Sequence, residues 1–145
     1  MNLFALLKIG EAHAMSDAER NRKKRVDAAE LTRASWLRAL VSDQTRAWMN
    51  IGEKDAGVLQ AFAAIMTITG FVFAFNGRSI DDPDIRVIRG SVSAASQCSA
   101  AGCVISIDDA RAFSSASQRA EKIIRSASVD AIISASISIN ELLSE

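Results

Sequence analysis

Twenty consecutive residues, Ala56 to Phe75, carry no charged side chain, and ten of them are strongly apolar: Val58, Leu59, Phe62, Ile65, Met66, Ile68, Phe71, Val72, Phe73 and Phe75. A helix of that length spans about 30 Å, the thickness of a bilayer core. Three readings fit. The segment is a membrane span, or a central helix of a bundle that is apolar on all sides because all sides are covered. The third reading is a helix to about Thr67 followed by a strand, Phe71–Phe75, entering the Asn76-Gly77 turn. Gln60, Thr67, Thr69, Gly57 and Gly70 weaken the membrane signal. The pairs Gly57/Ala61 and Ala63/Thr67 are spaced for close helix packing in lipid. Orientation in a membrane stays undecided. Arg38, Arg46 and Lys54 precede the span and Arg78, Arg86 and Arg89 follow it, so only the more distant basic residues 20–25 favour a cytoplasmic N-terminus.

The segment before it, residues 16–52, reads as a long amphipathic helix. Ser16 is the expected N-cap, with Glu19 completing a capping box. Val26, Ala29, Arg33, Trp36, Leu40, Asp43 and Ala47 recur at steps of three and four, and Leu37, Val41 and Trp48 widen the stripe. A break near Ser42 is allowed for. Residues 1–15 form a short apolar segment with Leu3, Phe4, Leu6, Leu7 and Ile9. It is not read as a signal peptide, because no basic region precedes it and Lys8 interrupts it.

After the apolar segment the character changes. Residues 76–90 read as an acidic loop around Asp81-Asp82-Pro83-Asp84. Residues 91–145 are rich in Ser, Ala and Ile. Ile85–Arg89 and Cys103–Ile107 are short β-like runs. Asp108 or Asp109 is the expected cap of a helix carrying Phe113, Ala116, Ala120, Ile123 and Ala127 on one face. Over residues 129–140 the alternation of Ile133, Ala135, Ile137 and Ile139 with serines suits a strand. Val129, Ile132, Ile133 and Ile137 suit a helix, and helix is preferred. The fold expected is therefore mostly α, with a long amphipathic N-terminal helix and a central very apolar helix. A smaller Ser/Ala-rich helical C-terminal region follows, with a short β element.

The chain of 145 residues is long enough for a core without metals or disulfide staples. Lys+Arg and Asp+Glu are 17 each, so no global field draws nucleic acid. His13 is the single histidine, so the chain holds no interior Ser-His or Cys-His pair and no zinc site of the usual type. No phosphate-binding glycine loop or metalloprotease motif occurs. The chain is therefore read as not an enzyme, with no catalytic, cofactor or metal residue and no cofactor.

Three features invite function. Arg20, Arg22, Lys23, Lys24 and Arg25 can contact an anionic partner, either nucleic acid or lipid headgroups, or form a solvated helix face. Trp36, Leu40 and Trp48 are candidates for a docking face, because buried aromatics tend to dominate interface energy. Cys98 and Cys103 are spaced for a small disulfide loop, and a reduced inert pair is the plainer alternative. The spacing is not that of a redox Cys-x-x-Cys motif.

In layout alone, the chain resembles small single-span membrane proteins of the phage-lysis or virion-ejection kind. Those share a basic amphipathic N-terminal helix, one apolar segment and a polar C-terminal region with a cysteine pair. The resemblance carries no residue across. It implies a non-enzymatic structural or interaction protein within a homo-oligomeric, larger or membrane-associated assembly. The alternative is a small soluble regulatory protein that contacts nucleic acid, or a protein that handles it, through residues 20–25.

Overall fold

The computed structural model describes residues 16–77 and 82–144. The apolar segment 1–15, with His13, lies outside the described residues. Five helices follow in order: α1 (Asp17–Met49), α2 (Ala56–Phe75), α3 (Pro83–Ala101), α4 (Ile107–Ser126) and α5 (Val129–Leu143).

Each helix starts on a side-chain acceptor. Ser16 Oγ accepts from Glu19 N–H at 3.2 Å and Asp55 Oδ1 from Val58 N–H at 3.0 Å. Asp82 Oδ1 takes Asp84 N–H at 2.8 Å, with Pro83 in the first turn, where a missing N–H costs nothing. Ser106, rather than Asp108 or Asp109, caps α4. Its Oγ accepts from Asp109 N–H at 3.0 Å, while Asp109 Oδ2 accepts from Ser106 N–H at 2.9 Å. This reciprocal pair closes a capping box with Asp109 in its third position. Ser128 Oγ accepts from Ala131 N–H and begins α5.

The first four helices run alternately up and down. On the α1–α4 seam, Arg33 donates to the carbonyls of Ile124 and Arg125, and Trp48 and Gln44 donate to Ser114 Oγ. Residue numbers rise on one helix as they fall on the other, so α1 and α4 are antiparallel. Met66 to Ala74 lie beside Ile85 to Ser93, and Leu59 to Thr67 beside Val92 to Ala100, so α2 and α3 are antiparallel too. Arg119 of α4 pairs with Asp84 of α3 at 2.6 Å. The rings of Phe62 and Phe113 meet at 4.2 Å across the diagonal, with α2 and α4 parallel. The last helix, α5, seats Ala131, Ile132 and Ala135 over α1 and α2.

The helix α2 packs against all four others and buries Val58, Leu59, Phe62, Ile65, Met66, Thr69, Val72 and Phe73. Its length and composition pass for a membrane span. It packs one side against the other helices, while Gln60, Ala64, Thr67, Ala74 and Phe75 stay exposed along the other. Thr69 costs little there, because its Oγ1 donates to Ile65 O at 2.8 Å.

Several expectations need correction. Phe71–Phe75 stays helical, so no strand enters the Asn76 turn. The first helix passes Ser42 unbroken and ends at Met49. Residues 83–90, expected as loop, are the first turns of α3, and Ile85 and Ile88 of the β-like run fall on its buried face. Residues 129–143 are helical, since a 3–4 spacing buries Ala131, Ile132 and Ala135 while the alternating serines are small enough for either period. No strand occurs among the described residues. The run Cys103–Ile107 comes nearest: Ile105 accepts from Gly52 N–H at 2.7 Å and donates to Glu53 O at 3.0 Å. That exchange ties the α1–α2 and α3–α4 connectors together at one end of the bundle.

Among the described residues, one buried side-chain polar atom lacks a partner. Ser117 Oγ sits inside α4 with no hydrogen bond. Ser117→Ala removes a desolvated hydroxyl and should raise the urea unfolding free energy by about 1 kcal/mol. A loss of stability in the same titration would show that the hydroxyl has a partner after all.

Candidate interaction surface

The long helix α1 has 33 residues, more than the bundle covers. Residues 17–28 are all exposed, and the first fully buried position is Ala29. The inward face is then Ala29, Leu40 and Ala47, with Trp36 and Leu37 half-buried against the core. All five basic residues of the run 20–25 lie on the exposed overhang. Arg25 is engaged with Asp130 of α5 at 2.8 Å and Arg20 with Asp17 at 3.3 Å. No ion pair is formed by Arg22, Lys23 or Lys24 among the described residues.

The docking residues expected from sequence divide. Leu40 is 3% exposed and belongs to the intramolecular core, so it is not a docking residue. Half-buried Trp36 packs against the same core. The stripe that needed a partner finds it in the chain's own other helices. Trp48 is 41% exposed, with its indole N–H donating to Ser114 Oγ at 2.8 Å.

The opposite face of α1 carries what the sequence reading missed. Leu31, Val41 and Met49 are 74%, 65% and 77% exposed. Val41 therefore does not widen the inward stripe. On a helix of about 100° per residue, Arg20, Lys24, Asp27, Leu31, Arg38, Val41, Thr45, Trp48 and Met49 share one outward strip. Every one of them is exposed. Their spacing was readable, but the inward stripe lay in the same sequence and was more continuous.

Asp43 sits at the flank of this helix. Burial pushes its carboxyl above the usual carboxylate range, and the nearby Arg46 guanidinium pulls it partly back. A raised folded-state value means that the native state binds the proton more tightly than the unfolded chain. Stability therefore falls as pH rises from the ordinary value through the raised one, and the cost persists at neutral pH. Asp43→Asn should raise the melting temperature at about pH 7 and flatten its pH dependence in the acid range. A variant less stable than the parent at neutral pH would contradict this.

Two other features lie away from α1. A groove of about 520 Å³ between α2 and α3 is lined by apolar residues including Met66, Phe71, Ile88 and Val92, with Arg89 and Ser93 at its edge. It holds neither a carboxylate nor a nucleophile paired with a base. At the other end, Cys98 and Cys103 are joined as a disulfide with Cα atoms 5.1 Å apart. It closes over Gly102, whose φ of 64° ends α3 in the left-handed conformation that glycine adopts without strain. Among the described residues, no group of three His, Cys, Asp or Glu side chains could hold a metal ion.

No protein-family model matches the chain, and no curated protein or solved structure matches it either.

Proposed function

We propose that this chain is a non-enzymatic structural or interaction protein that works in an oligomeric assembly, docking through the overhang and outward strip of α1. The observation that carries the reading is a helix longer than its own bundle. Its first turns continue an already nucleated helix but bury no residue before Ala29, so a partner packed there would supply the burial they lack. The exposed Leu31, Val41 and Met49 continue the same surface into the bundle. The contacts of α2 with all four other helices support a protein assembly as the setting of that segment. Sedimentation equilibrium over a wide concentration range tests the reading. A mass above 15.5 kDa that depends on concentration supports it, and a single 15.5 kDa species throughout removes it.

A second reading rests on the unpaired Arg22, Lys23 and Lys24, which suit a phosphate-bearing partner. It requires short DNA or RNA duplexes to bind with an affinity that falls steeply with salt. A flat salt response would exclude it.

A further inference from the structure

We infer that the partner on the outward strip of α1 is a second copy of this chain, paired antiparallel along the whole helix about a two-fold axis near residue 33. The inference rests on the assembly reading above and adds the occupant, the direction and the register.

Length argues first. The exposed first turns cover residues 17–28, of which Lys24, Arg25 and Ala28 also flank α5, and the outward strip over the bundle's body runs through residues 38–49. Both stretches have the same length and lie symmetrically about residue 33. Antiparallel pairing at that point lays each overhang on the other copy's outward strip. The two bundles then sit toward opposite ends of a seam about 50 Å long. The interface is isologous, as a closed two-fold dimer requires.

Charge argues second. Asp27 and Arg38 are exposed, and neither forms an ion pair among the described residues. In this register Arg38 lies beside the partner's Asp27, and the symmetry makes the pair twice. Leu31 meets the partner's Ser35, and the small side chains of Ala34 and Ser35 let the helices approach closely at the axis. The aliphatic stems of Arg20 and Lys24 lie over the strip that carries the partner's Val41 and Trp48. Parallel pairing fails on the same charges, because it sets Arg38 against Arg38 and one basic run, 20–25, against the other.

The test is a charge swap read by sedimentation equilibrium on the full chain. Asp27→Arg and Arg38→Asp each place like charges together and should weaken dimerisation on the order of 10-fold or more. The double variant restores opposite charges and should recover most of the affinity. Both sites are exposed, so the folded monomer should survive, and circular dichroism checks that it does. A second measurement fixes the register. With the native cysteines in their disulfide, Ala34→Cys should be linked to its partner by a short bismaleimide. Val41→Cys, far from the axis, should not. An oligomer that persists through both single charge variants, or links at residue 41 and not at residue 34, overturns the inference and leaves the assembly reading standing. A parent chain that is monomeric throughout removes both.

Discussion

Phe62→Ala should destabilise the bundle by about 4 kcal/mol, a large share of the roughly 5–15 kcal/mol that holds a domain together. Phe62 is fully buried at the centre of α2, and its ring meets Phe113 at 4.2 Å. It therefore touches the one diagonal of the bundle where two helices meet without being neighbours in the ring. Truncation removes the transfer free energy of the ring and leaves a cavity that four helices cannot all close upon. It also forfeits the aromatic pair, worth about 1 kcal/mol beyond its area. Urea unfolding followed by circular dichroism measures the loss. A shift below about 1 kcal/mol would mean that α2 is not the enclosed centre of the fold. That outcome would support the membrane reading of residues 56–75 instead.

The second large effect separates inside from outside on α1. Leu40→Ala should cost about 3 kcal/mol of stability and leave the assembly mass of the folded protein unchanged. The side chain is buried against the chain's own helices, so its loss acts within one molecule. Substitutions at exposed Leu31 or Val41 should do the reverse, altering association with little effect on the unfolding midpoint. A Leu40→Ala variant that dissociates without losing stability would invert the assignment of the two faces.

That pair of outcomes also marks what the sequence could convey. The existence of α1 and α2 was legible, because Ser16 and the uncharged run Ala56–Phe75 are strong local signals. The facing of α1 was not. Ala29, Leu40 and Ala47 on one side compete with Leu31, Val41 and Met49 on the other, and only the positions of α2, α4 and α5 decide between them. The tail was ambiguous for a different reason. Ser134, Ser136 and Ser138 tolerate a half-buried site in either period, so alternation there carried little information. The cap of α4 was hidden by chemistry that looked better locally: Asp108 and Asp109 drew attention from Ser106, and Asp109 turned out to be its partner. The candidate surface fared likewise. The basic run was plain in the sequence, but that Arg25 reaches Asp130 of α5 while Arg22 and Lys23 make no ion pair among the described residues follows from where the other helices lie.

The Arg33 contact with Ile124 and Arg125 has a consequence in time. Three of the bundle's four lateral seams join helices linked by short connectors, and each can zip locally. The α1–α4 seam joins residues 91 apart, the longest closure among those four seams. That seam should form after the rate-limiting barrier, with the other three already in place. Weakening it through Arg33→Met should then steepen the rate of unfolding and leave the refolding arm of the chevron nearly where it was. The ring of helices would thus open where it last closed, and the lifetime of the folded chain would be set by its first and fourth helices letting go.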